Sequence, residues 1–148
     1  MKPAQTQPER TLAIIKPDAF SFRLCGAIIG EIERSDLSIV AARVLHLTTD
    51  QARRFYAVHE KQPFYERLVS FMTSGPIMAL VLQGNDAIGQ WRDIMGCTDP
   101  EEAPEGTIRR LFASDVTFNC VHGSDAPETA KAEIEFFFKP EELAHAAQ

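Results

Sequence analysis

His122 stands in the run Asn119-Cys120-Val121-His122-Gly123-Ser124-Asp125 and is the side chain with the most evident chemical use in this chain. Neutral imidazole is a competent nucleophile near neutral pH, and a ring nitrogen can accept a phosphoryl group. The run reads as the end of a short strand followed at once by a helix start. Such a corner presents a side chain beside helix-terminal N–H groups, which suit an anion. The competing reading is a histidine hydrogen-bonded into an ordinary turn, and only its neighbours separate the two.

Those neighbours are basic, hydroxylic and aromatic. Arg92 and Arg109 bracket a loop rich in Pro and Gly from Gly96 to Gly106 that also carries Thr98. Two guanidinium groups and a hydroxyl can clamp polyphosphate, although surface ion pairs are the alternative for each arginine alone. Lys16 follows the apolar run Thr11-Leu12-Ala13-Ile14-Ile15 and precedes Pro17, so its cation sits at a strand end and faces a cleft. Tyr56 and Phe64 flank Lys61-Gln62-Pro63, and an aromatic there can stack on a base or serve the core. Glu133, in the last helix, can orient a group near His122 or be merely solvated.

Absent motifs narrow the chemistry. There is no G-x-x-x-x-G-K-[ST] phosphate loop, no G-x-G-x-x-G after a strand, no H-R-D or D-F-G, and no H-E-x-x-H. Nucleotide phosphates would therefore be held by side chains. The net charge of −6 argues against a general nucleic-acid or anionic-membrane binder. Cys25, Cys97 and Cys120 are sparse and form no C-x-x-C pair, which fits a reducing compartment. Met1–Glu9 has no apolar segment of signal-peptide type, and no run approaches the ~18 apolar residues of a membrane span. A cytoplasmic protein is expected.

These residues need a scaffold, and the apolar patterning supplies one. Residues 1–9 read as a loose tail and 10–148 as a single domain. Strands are expected over 11–15, 37–47, 77–82 and 118–122. Helices are expected over 24–34, from Thr49 or Asp50 to about Val58, from a first turn at Pro63 to Ser74-Gly75-Pro76, and from Asn85 or Asp86 to about Met95. A last helix runs to Phe138, with Asp125 and Glu128 around Pro127 as its capping signature. Four strands, with the two main helices after the first and third, predict an α+β domain. It would be a ferredoxin-like βαββαβ four-stranded antiparallel sheet with helices on one face and added short helices.

Over about Arg10 to Leu143 the chain resembles the nucleoside diphosphate kinases. The resemblance rests on Ile15-Lys16-Pro17-Asp18, Pro63-Phe64-Tyr65, Ser74-Gly75-Pro76, Gly106-Thr107-Ile108-Arg109, Asn119-x-x-His122-Gly123-Ser124-Asp125 and Pro140-Glu141-Glu142-Leu143. It implies a ping-pong transfer of the γ-phosphoryl group from a nucleoside triphosphate, typically ATP, to a nucleoside diphosphate through phosphorylated His122. Lys16, Tyr56, Arg92, Thr98, Arg109 and Asn119 match the family's phosphate and sugar contacts. Phe64 matches the base-stacking aromatic, and Ser124 and Glu133 match the pair supporting the histidine. Mg²⁺ would arrive bound through the nucleotide phosphates, without a protein carboxylate cage. Broad nucleotide specificity and a homo-oligomer, tetramer or hexamer, are implied too. One departure is Phe22-Arg23, where the family usually has Arg-Gly, at the approach to the first long helix. A catalytically silent relative would lack His122 or a clamp residue, and a plain small-molecule-binding domain would leave the basic cluster unexplained.

Overall fold

Leu12, Ala13, Ile14 and Ile15 are wholly buried on both sides in the computed structural model, which describes residues 8–144. A strand apolar at consecutive positions must be covered on both faces, and this one is. It forms β1 (Glu9–Ile15), followed by α1 (Pro17–Ser21), α2 (Cys25–Glu33) and β2 (Ser38–Leu45). Next come α3 (Thr49–Phe55), a 3-10 turn at Ala57–His59, α4 (Tyr65–Met72), β3 (Ile77–Gly84) and α5 (Ala87–Met95). The chain closes with α6 (Ile108–Phe112), β4 (Val121–Gly123), α7 (Pro127–Phe137) and a 3-10 turn at Pro140–Glu142.

The strands lie in the order β2-β3-β1-β4, and every described pairing is antiparallel. This is the ferredoxin-like arrangement expected from the patterning. The crossover helices α2 and α5 place Ile28, Ile32, Trp91 and Met95 against Ala13, Ile15, Leu80 and Leu82 on one face. The added helices α3, α4 and α7 cover the other, where Ala52, Val69, Met72, Ile134 and Phe137 meet Leu12, Ile14, Ala79 and Val81.

Element ends depart from expectation for identifiable reasons. Thr48, not Thr49 or Asp50, caps α3, in a reciprocal box with Gln51. That helix stops at Phe55, before the separate 3-10 turn. Pro63 lies outside α4, in a turn closed by the Tyr65 amide on the Gln62 carbonyl. Asp125 does not cap α7, because Pro127 takes the first helical position. A proline there keeps the preceding residue extended, so Ala126 becomes the N-cap at φ −155°, with no side-chain cap bond. The fourth strand starts at Val121 rather than Phe118, since Cys120 has φ +72° and cannot continue an extended ladder. Glu9, expected in the loose tail, opens β1 and accepts from the Ile88 amide; residues 1–7 of that tail lie outside the described residues.

Arg23 also occupies the left-handed region, at φ +60°, between α1 and α2. An L side chain there costs about 1–2 kcal/mol, part of which glycine returns through its freer unfolded chain. Arg23→Gly is therefore expected to raise the melting temperature by about 1–3 °C, read by differential scanning calorimetry. An unchanged or lowered value would show that the arginine side chain compensates for its backbone.

Candidate active site

Register aims His122. His122 pairs with Ile14 across the β1–β4 ladder, and directly opposed residues point to the same side of a sheet. His122 therefore faces the layer formed by α3, α4 and α7. Its ring meets Phe55 edge-on at 5.5 Å and Tyr56 at 6.3 Å between centroids. Ser124, two residues further on, shares that side. Gly123 between them allows the corner to lie against α5, where the Trp91 indole N–H donates to the His122 carbonyl at 3.0 Å. A Cβ at Gly123 would stand 2.6 Å from Trp91 and Met95 side-chain atoms, which leaves no room for one.

Behind the imidazole stands Glu133 of α7. Its Oε1 lies 2.9 Å from His122 Nε2 and accepts from the Ser124 hydroxyl at 2.8 Å. Ser124 Oγ in turn accepts from the Leu12 amide. A carboxylate beside Nε2 selects the tautomer with its proton there. Among the described residues no hydrogen-bond partner of Nδ1 is found, so its lone pair is left for the cleft.

The cleft encloses about 510 Å³ and is lined by Lys16, Tyr56, Phe64, Thr98, Arg109, Asn119 and His122, all expected from the sequence. Lys16, the N-cap of α1, is buried and donates from Nζ to Asn119 Oδ1 at 2.8 Å. Burial first and then the nearby Arg109 charge lower its pKa to about 8, against upward pulls from Asp18 and Cys120. Arg109 is buried as well and donates to three backbone carbonyls, those of Asn119, Gly96 and Val121. That uses three of the five guanidinium N–H groups. Burial, then Arg92, brings its pKa down to about 10, so it stays a cation at neutral pH. Tyr56 has a buried hydroxyl without a partner among the described residues, and burial followed by the Glu133 charge raises the phenol's pKa. It therefore remains an O–H donor. Phe64 is 47% exposed at the rim, its ring 5.4 Å from that of His59.

Arg92 is the exception among the residues expected to clamp phosphate. It is exposed in the last turn of α5 and lines an adjoining depression, which shares Thr98 and Arg109 with the main cleft. Sequence reasoning missed His59, Arg67, Val116 and Thr117 in the cleft wall. It also missed α6, which carries Arg109. The signal for α6 was Thr107, whose hydroxyl accepts from the Arg110 amide as an N-cap. A larger groove of about 620 Å³, lined by Phe20, Phe22, Phe71 and Phe118, has no base among its lining residues.

A basic cleft closing on a carboxylate-held imidazole, mounted on this sheet, defines a phosphotransferase. Comparison with known proteins identifies what it transfers between. The family profile described as nucleoside diphosphate kinase matches residues 9–143. The chain is 57% identical over 135 residues to the nucleoside diphosphate kinase of Halorhodospira halophila, covering 91% of this chain and 96% of that one. It is 55% identical to that of Coxiella burnetii, covering 91% and 97%. The crystal structure of the Aquifex aeolicus nucleoside diphosphate kinase superposes with a TM-score of 0.91 at 42% identity, over 93% and 99% of the two chains. The Halobacterium salinarum nucleoside diphosphate kinase in complex with CDP gives 0.90 at 39% identity, over 95% and 93%. The chain belongs to the nucleoside diphosphate kinase family and moves phosphoryl groups between nucleotides.

Proposed function

We propose that the transfer runs in two steps through phosphorylated His122, with Nδ1 as the attacking atom. The observation that carries this is the Nε2–Glu133–Ser124 relay, which leaves Nδ1 without a partner among the described residues in a cleft lined by Lys16, Arg109 and Tyr56. Nδ1 forms a bond to the γ-phosphorus of a nucleoside triphosphate as the bond to the β–γ bridging oxygen breaks, and the nucleoside diphosphate departs. A terminal β-phosphate oxygen of the next diphosphate then displaces Nδ1. Glu133 supports the positive charge that the imidazole gains in between, through the Nε2 proton. Phosphoryl transfer needs positioning and charge neutralisation above all. Lys16, Arg109 and Arg92 supply positive charge, while Thr98, Asn119 and Tyr56 offer polar groups to phosphate and sugar.

Lys16, Arg67 and Arg109 dominate the charged lining of the cleft, a donor set suited to phosphate oxygens. Mg²⁺ accordingly belongs to the substrate, carried on the nucleotide phosphates. The base lies on Phe64, where stacking accepts any base, so purine and pyrimidine nucleotides with ribose or deoxyribose are all substrates. Stacking is worth ~1–3 kcal/mol per base, so Phe64→Ala should raise KM roughly tenfold with a smaller change in kcat. An unchanged KM in steady-state kinetics would remove Phe64 from the site.

We further propose a homo-oligomer, tetramer or hexamer, working in the cytoplasm. The exposed Phe22 and the exposed Val44 on edge strand β2 support assembly. The three free cysteines fit a reducing compartment. The mechanism is tested by incubating the protein with Mg²⁺ and γ-labelled ATP. Acid-labile, base-stable label on the protein is expected, and a wild-type protein that takes up none overturns the two-step route.

A further inference from the structure

We propose that Asp18, which lies outside the substrate cleft, is a positioning residue whose carboxylate pins Cys120 in its left-handed conformation and so sets Asn119 and Lys16 relative to His122. The proposal rests on the two-step reading above, with Lys16 as a phosphate ligand. Cys120 is buried, with φ +72°, a conformation that costs a side-chain-bearing residue about 1–2 kcal/mol and persists only where its surroundings impose it. The imposing contacts are on either side. Asp18 Oδ2 accepts from the Cys120 amide at 3.1 Å, and the Lys16 amide donates to the Cys120 carbonyl at 2.8 Å. From the opposite flank, Arg109 holds the Asn119 and Val121 carbonyls. The turn so fixed delivers Asn119 Oδ1 to Lys16 Nζ and starts β4 in the register that faces His122 into the cleft.

Asp18 has a second consequence for Lys16. The charged and titratable groups around that ammonium are Arg109 from α6, Asp18 from its own α1, and the Cys120 thiol beside β4. Burial and Arg109 favour its neutral form, whereas Asp18 is the largest influence favouring the cation. Asp18 Oδ1 is itself buried without a partner among the described residues, so little screens its charge. A Lys16 pKa lowered to about 8 means that the cation is lost as pH rises through that value. Removing the Asp18 charge lowers the pKa further, and the loss comes at lower pH.

Asp18→Asn keeps an acceptor oxygen for the Cys120 amide while removing the charge. The pH profile of kcat/KM reports the free enzyme, and its alkaline limb is expected to move to lower pH by about half a unit or more, with near-wild-type activity on the acid side. Asp18→Ala, which also releases Cys120, is expected to lower kcat/KM about tenfold or more on the acid side as well. Should Asp18→Asn be too unstable to assay, the comparison is made in a Cys120→Gly background, where glycine adopts φ +72° unaided. A purely structural residue would scale the whole profile down without moving its limb, and that result overturns the proposal. A wild-type protein that forms no phosphoenzyme overturns the underlying reading instead. A wild type that forms it, beside an Asp18→Asn variant with an unmoved limb, overturns the role of Asp18 alone.

Discussion

His122→Ala is expected to be folded and inert, with kcat lowered on the order of 10⁴-fold or more and no label taken up from γ-labelled ATP. Folding survives because the ring is only partly buried and because its removal strands no buried group. Glu133 keeps the Ser124 hydroxyl as a donor, and the His122 carbonyl keeps the Trp91 indole. Activity does not survive, since the other imidazole in the cleft wall, that of His59, packs against Phe64 at the rim rather than against the Glu133 carboxylate. Circular dichroism and a single-turnover labelling assay separate the two effects. Label of wild-type extent on the folded variant would move the nucleophile elsewhere and end the assignment.

Arg109→Ala is expected to cost both stability and activity. The guanidinium is buried and donates to the carbonyls of Gly96, Asn119 and Val121, so truncation leaves three acceptors without their charged donor. Hydrogen bonds to charged groups are worth about 1.5–3 kcal/mol each, and the effects of neighbours do not add fully, so a loss of about 3–5 kcal/mol is expected. It would be read from the shift in urea midpoint. Gly96 caps the C-terminus of α5, Val121 lies in the strand carrying His122 and Asn119 lies just before it, so kcat/KM falls with stability. Arg109→Lys should recover little of either, because an ammonium cannot fork to three acceptors and still face the cleft. A lysine variant of wild-type stability and activity would reduce Arg109 to a plain positive charge.

The outline of the fold was legible because burial writes itself into local pattern. The apolar runs at 11–15 and 77–82 identified the two central strands, and the spacing of Ile28, Ile29 and Ile32 identified a crossover helix. What escaped was short or set by distant partners. The helices α1 and α6 span five residues each, too few for a period to emerge, and Pro17 was read only as the end of a strand although it also opens α1. Pro127 similarly displaced the cap assigned to Asp125. Lys16 and His122 could be named from their places at strand ends, where side chains face openings, and Arg109 from its place after the long loop, whereas Asn119 was named through the resemblance. Glu133 is different. As one glutamate on a helix it carries no signal, and only the packing of α7 over β1 brings it to Nε2. His59, Arg67 and Val116 reach the cleft through tertiary packing with no local mark.

The pairing of β4 with β1 has a consequence for synthesis. The strand bearing His122 is three residues long and binds the first strand of the domain, while Lys16 and Asn119 meet across 103 residues of chain. A ribosome-bound chain that has released β1 to β3 already holds the strands of the middle of the sheet, yet the proposed catalytic groups are still unassembled. Competence therefore arrives only once residues 119–133 have left the ribosome, and a chain terminated before them has no site with which to consume ATP.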